Sequence, residues 1–271
     1  MRLHLERTRF HVLQQDPPWK VVRAFSQPAG GSLVHLNNVS GGVLAGDRLA
    51  LEVALEAGAE AQITTTGATR LYRHRPGAGD SEHSAVFRIG DGARLEYLPD
   101  PVIPYAGSRH TQRTTFHLAA GASLFWWEVL APGRHASGEI FAFDRLCFQS
   151  EIRARDRPLL LESFLLEPAA RPLTVTPRMR NYSYLASVYA CQEGRAPAFW
   201  CELEDRLNNA AKEKCRPGEA LWGASTLAAD GVVVRGLCAS NRFVSPALID
   251  FWRLMRLAVT GEEPVLPRKI Y

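Results

Sequence analysis

The sequence predicts a mainly β protein: stacked hairpins in one elongated domain, with two α-helices in the C-terminal third. Three observations lead there. Residues 53–63, 87–98 and 116–127 share one pattern, in which alternating apolar residues run into a Gly-Ala pair and then alternate again, with the glycines at Gly58, Gly92 and Gly121. A period of two marks strands, and glycine supplies the positive φ that a tight turn needs. Helical periodicity appears only late in the chain, and no low-complexity linker divides its 271 residues, a length sufficient for one sizeable core.

Taken in order, the first ten residues, MRLHLERTRF, alternate charged and apolar side chains. They carry no apolar signal core, so a cytoplasmic location is expected. Gly41, Gly42 and Gly46 precede Asp47 and a strand whose apolar face is Leu49, Leu51, Val53 and Leu55. Gly41 and Gly46 have the spacing of a phosphate-binding loop, but Asp47 and Arg48 follow where lysine and a hydroxyl residue belong, and a strand follows instead of a helix. The glycines therefore read as a turn entering a strand. Thr64, Thr65, Thr66 and Thr69 continue the first repeat, and β-branched residues favour strands. The repeat spacings of 34 and 29 residues are too irregular for a consensus solenoid and suit stacked hairpins with variable connections. A looser fourth copy is expected to turn at Asp156-Arg157-Pro158.

The first helix is expected over residues 201–214, with Leu203, Leu207, Ala210 and Ala211 at helical spacing. The second is expected over residues 246–260, with Ser245 as N-cap, Pro246 in the first turn, a stripe of Leu248, Trp252, Met255 and Val259, and Gly261 as the stop. The tail from Glu262 is broken by Pro264 and Pro267 and reads as extended.

A net charge of +4 without a long Lys/Arg run gives no case for nucleic acid. Five cysteines without a CxxC pair argue against a disulfide framework or a zinc knuckle. The apolar run over residues 159–166 is interrupted by Glu162 and too short to span a bilayer. No GxSxG elbow supports a hydrolase nucleophile, and the eight histidines contain no HxH, HxxxH or HExxH motif. His74 and His83 flank a segment with Asp80 and Glu82, read as a solvated, mobile loop. Arg134 and Glu139 are expected to lock a glycine-bounded turn.

Three acids stand out by parity. Asp47 shares the face of Leu49 and Leu51, Glu128 that of Leu124, Trp126 and Leu130, and Glu162 that of Leu160, Phe164 and Leu166. An inward carboxylate needs a partner, water or an ion, because an isolated buried charge is costly. The three suggest a wet internal passage. The plainer alternative pairs each with an arginine such as Arg48, Arg70, Arg134 or Arg145.

Five segments together resemble the urease accessory protein UreD family, called UreH in some organisms: NNVSGGVLAGDRL (residues 37–49), TTTGATRLYR (64–73), LEYLPDPVIPYAGS (95–108), WEVLAPGRHASGEIF (127–141) and LPRKIY (266–271). They occur in the family's order. The resemblance implies a β-helix-like fold and a non-enzymatic role in the cytoplasm. Its implied partners are UreF, UreG and the urease apoprotein in a hetero-oligomer, with neither nucleic acid nor membrane. It implies no tightly bound cofactor, with nickel in transit past Asp47, Glu128 and Glu162. A conduit must bind its ion weakly enough to release it, which sparse carboxylates do better than a His/Cys cage. A scaffold role is the alternative, with residues 246–260 and 264–271 docking UreF through Trp252 or Tyr271.

Overall fold

The computed structural model describes residues 1–7, 9–27, 30–155, 157–175 and 178–267. Two sheets lie face to face, and two helices cover the outer face of the second. In spatial order, sheet one holds β15 (Arg157–Leu166), β14 (Arg145–Ala154), β12 (Arg109–Leu118), β9 (Ser81–Ile89), β6 (Arg48–Leu55), β1 (Arg2–Leu5) and β2 (Phe10–Gln14). Sheet two holds β17 (Ala220–Thr226), β18 (Gly231–Cys238), β16 (Tyr184–Gln192), β13 (Ser123–Leu130), β10 (Arg94–Leu98), β7 (Glu60–Thr65), β5 (Ser32–Asn38) and β3 (Trp19–Lys20). β4 (Ala24–Ser26) pairs with β5, and β8 (Thr69–Leu71) pairs with β11 (Val102–Pro104), which also touches β13. The expected class, mainly β with two late helices, is what the chain forms.

The repeats are joined differently from hairpins. The two arms of each copy go to opposite sheets: β6 and β7, β9 and β10, and β12 and β13 are consecutive in sequence yet never pair with each other. Each arm lies parallel to the matching arm of the next copy, so that Leu55, Ile89, Leu118 and Ala154 stand in register along sheet one. β7, β10 and β13 are likewise parallel in sheet two. Each copy is thus a coil of a β-helix, and the glycine corner carries the chain from one sheet to the other. The corners stack: Gly58 N–H donates to Asp91 O and Gly92 N–H to Ala120 O, both at 2.8 Å. Gly58, Gly92 and Gly121 share φ values of 65°, 62° and 66°, a region that side chains other than glycine rarely enter. The repeat spacings of 34 and 29 residues are the register offsets between neighbouring coils. Only the looser fourth copy, β14 and β15, is an antiparallel hairpin within one sheet; Asp156, assigned to its turn, lies outside the described residues.

One apolar core fills the gap between the sheets, and a second lies between sheet two and the helices. Sheet two is therefore buried on both faces, which is why β13 reads as a nearly continuous apolar run, SLFWWEVL. α1 (Pro197–Lys214) begins four residues before the expected start, with Pro197 in its first turn. α2 (Asn241–Thr260) begins five residues early: Ser240, not Ser245, is its N-cap, accepting from Arg242 N, and Pro246 sits inside the helix. The earlier start lets Val244 join Ala247, Leu248, Phe251, Trp252, Met255 and Val259 on the buried face. Gly261 ends α2 in the left-handed conformation, as expected. Among the described residues, no helix is long and apolar enough to cross a membrane.

A buried ion pair fastens α2 to the sheet. Arg256 Nε donates to Glu96 Oε1 at 2.7 Å, with 6% and 7% of the two side chains exposed. Gln62 Nε2 donates to Glu96 Oε2 and to Val265 O, each at 2.9 Å, so the amide that completes this pair also holds the segment after the helix. Removing one member of such a pair leaves an uncompensated interior charge. Arg256→Ala is expected to lower stability by about 3–5 kcal/mol, read as a lower urea midpoint at unchanged slope.

Candidate functional site

Alternation on the strands determines which side chains enter the gap between the sheets. Most are apolar, but one layer is not. In sheet one, Thr114 stands between Ala85 and Ser150, and Ser150 is opposite Glu162. The adjacent rung carries His83 beside Gln112. In sheet two, Glu128 is opposite Ser187, which is opposite Arg235. These positions share parity with core residues of their strands, so polar groups from both sheets meet inside.

The contacts cross the gap. Gln112 Nε2 of sheet one donates to Glu128 Oε2 of sheet two at 2.7 Å. Tyr189 Oη of sheet two donates to Glu162 Oε2 of sheet one at 2.7 Å, and Arg235 Nη2 lies 2.9 Å from Glu162 Oε1. Arg235 is 43% exposed and Glu162 13%, so this end of the layer reaches solvent. Glu128 has an amide partner and, among the described residues, no cation. Burial, and then the nearby charge of Glu162, raise its carboxyl to about 7 against the weaker opposing effect of Gln112. Burial also pushes the Tyr189 and Tyr97 hydroxyls well above the ordinary tyrosine range, with Glu162 adding to the first and Glu128 to the second.

At the inner end is a small cavity of ≈ 30 Å³, with Trp19, Thr65, His83, Asp100, Gln112 and Glu128 among its walls. That is room enough for a water. Thr65 Oγ1 donates to Asp100 Oδ2 at 2.7 Å. His83 Nε2 and Trp19 Nε1 are buried with no hydrogen-bond partner among the described residues, and their rings are 5.8 Å apart. Burial lowers His83 to about 4, against the weaker raising effect of the Gln112 side chain beside it. His110, hydrogen-bonded to Ser81 at 2.8 Å, falls to about 3 through burial and then the proximity of His83.

Glu128 and Glu162 thus lie where parity puts them and are close enough to interact. Asp47 is set apart. Its Oδ2 accepts from Leu44 N at 2.8 Å, closing the turn before β6, and no contact joins it to either glutamate among the described residues. Its backbone carbonyl accepts from Glu82 N, which places it at the head of the Ser81 and His110 rung. Among the described residues, none of the four arginines considered for these acids pairs with them: Arg145 binds Asp80 and Glu167, Arg134 binds Glu139 across its turn, Arg70 reaches Gly41 O, and no ion pair joins Arg48 to any of the three. The cation found is Arg235, 73 residues from Glu162, which local pattern could not supply.

Two further expectations are corrected. His83 is not on a mobile loop: it lies on β9, alternating inward with Ser81, Ala85, Phe87 and Ile89, a parity legible in the sequence. Trp252 offers no surface for a partner. It is fully buried in the helix–sheet core, with its ring 6.1 Å from Trp127 in an edge contact. Tyr271 lies outside the described residues.

Fold and site together define a coiled β protein whose polar residues converge between its sheets as well as at its surface. The profile of the UreD urease accessory protein family matches residues 1–270, and the chain belongs to that family. It is 43% identical over 273 residues to the urease accessory protein UreD of Herpetosiphon aurantiacus, covering 99% of this chain and 93% of the relative. It is 34% identical over 226 residues to the protein of that name from an Anaeromyxobacter species, covering 83% and 73% respectively.

The titrations oppose one another. Glu128 holds its proton in the folded state up to about pH 7, whereas the unfolded chain releases it near the ordinary glutamate value. Stability from this group is therefore present at low pH and is lost as pH rises toward 7. His83, depressed to about 4, acts in the other sense: stability falls as pH drops from the ordinary histidine range toward 4. Glu128→Gln is expected to raise stability at pH 8 relative to pH 5 by on the order of 1–3 kcal/mol compared with the parent chain. Denaturant titrations at the two pH values measure it.

Proposed function

We propose that this chain serves urease maturation in the cytoplasm, with UreF, UreG and the urease apoprotein as partners, and that its interior polar layer is a route for nickel. It acts as an accessory protein without chemistry or a resident cofactor of its own. The relatives' names support the general role. One observation carries the route: Glu128 and Glu162 converge between the sheets with a single arginine, Arg235, for the two of them among the described residues. Negative charge along the way lowers the cost of moving a divalent ion through a protein interior, and carboxylate with water releases nickel more readily than a thiolate cage. A protonated Glu128 carboxyl can give up its proton as the cation arrives, so the resting layer need not hold an unpaired charge beside the Glu162–Arg235 pair. Asp47, in line with Ser81 and His110, stands at one end of this route.

A second reading, a pure adaptor, has its own observation. An apolar groove of ≈ 320 Å³ runs beside α2, with Trp127, Val129, Val244, Leu248 and Leu266 among its walls. In this reading α2 and residues 264–271 dock UreF.

Two experiments separate these readings. Glu128→Ala and Glu162→Ala are expected to lower the nickel content of urease in cells by about tenfold, the scale of losing a ligand or a group that orders one, while the complex with UreF and UreG still forms. Normal nickel loading in both variants would rule out the carboxylate route. Leu266→Asp, at a residue 43% exposed, is expected under the adaptor reading to cut recovery of UreF in co-purification by about tenfold, as at an interface hot spot, with folding unchanged. Unaltered recovery would sink that version.

A further inference from the structure

We propose that His4, Glu6, His11 and Glu56 form a surface binding site for a divalent transition cation such as Ni²⁺ or Zn²⁺. The site lies on the outer face of sheet one and does not depend on the route described above. One hairpin, β1–β2, and the distant end of β6 build it. β1 and β2 pair antiparallel with His4 directly opposite His11, and Leu3 and Leu5 occupy the core, so His4 faces outward. β1 runs parallel to β6 with Leu5 beside Leu55, which brings Glu56 to the end of the same edge. Glu6 follows β1 directly.

The donor atoms converge. One ligand atom each from His4, Glu6 and Glu56 lie within 4.8 Å of one another. His4 Nε2 is 3.0 Å from Glu56 Oε1, and His11 Nε2 is 3.2 Å from Glu6 Oε1. The imidazole rings are 6.3 Å apart. His11 stands beside this group, reaching it through Glu6, and its side chain is 41% exposed. Two separate surface His–Glu pairs would each contribute little. What sets this cluster apart is that His4, Glu6 and Glu56 converge, one member coming from each pair and Glu6 linking them to His11.

The donor set indicates the class of ion. Imidazole with carboxylate suits Ni²⁺, Zn²⁺ and Cu²⁺, whereas Mg²⁺ and Ca²⁺ prefer oxygen alone. An ion here would join the β1–β2 edge to the first glycine corner, and β2 is the edge strand of its sheet. Binding to the folded chain alone raises its melting temperature with metal concentration.

The test is calorimetric titration of the full-length protein with NiCl₂, and separately with MgCl₂, alongside thermal melts. The parent chain is expected to take up Ni²⁺ with a rise in Tm, and Mg²⁺ is expected to produce neither effect. The His4→Ala/His11→Ala double variant should lose one equivalent, while Glu128→Ala/Glu162→Ala retains it. Glu6→Gln/Glu56→Gln should weaken that equivalent by about tenfold or more, and it carries the same test if the histidine variant does not fold. The proposal is overturned if the parent chain binds no Ni²⁺, if the histidine and carboxamide variants bind as many equivalents as tightly as the parent, or if Mg²⁺ binds equally well.

Discussion

The parallel register between successive coils is the constraint on which the rest of the structure depends. Because the glycine corners send the two arms of each copy to opposite sheets, every coil must lie on the previous one to satisfy its backbone groups. Once Leu55, Ile89, Leu118 and Ala154 are aligned, the inward face of every strand is determined, since a slip of one residue would turn the whole apolar set outward. Polar residues of the inward parity are then carried into the gap and must find partners across it.

Polar burial takes two forms here. On the helix side of sheet two, Glu96 is satisfied by Arg256 and Gln62, a closed network that fastens α2 and the following segment. In the gap between the sheets, Glu128 has Gln112 but no cation, and His83 Nε2 has no hydrogen bond among the described residues. The first arrangement uses its charges to hold elements together. The second leaves an acid near neutrality and a neutral imidazole beside a cavity large enough for water, a state the fold tolerates because burial favours the uncharged forms. The surface cluster at His4 and His11 is different again, since its groups stay partly hydrated and owe their convergence to strand pairing alone.

Much of this was legible in the residues. Alternation around Gly58, Gly92 and Gly121 marked the strands and their corners, and the spacings between those glycines are the register offsets of the coils. Parity marked Glu128 and Glu162 as acids set in apolar strands; it is the pairing of the strands that brings both into the gap. The same reasoning applied to residues 81–89 would have marked His83 too; the preceding glycine, proline and charged residues obscured the start of β9. Ser245-Pro246 imitates a cap and first turn, whereas burial of Val244 extends the helix back to the Ser240 cap.

The sequence by itself determined the class of fold, the corners, the stop of the second helix and the inward acids, because these rest on local backbone preference and on a period of two. Only the tertiary structure decided that the arms of a repeat part to opposite sheets, that Glu162 meets Arg235 and Tyr189, and that Glu56 joins His4 and Glu6 at one point. Each of these depends on which distant strand lies alongside which. Hydrophobic alternation is the same for a hairpin arm as for a coil arm, so that choice is made by the packing of the whole core.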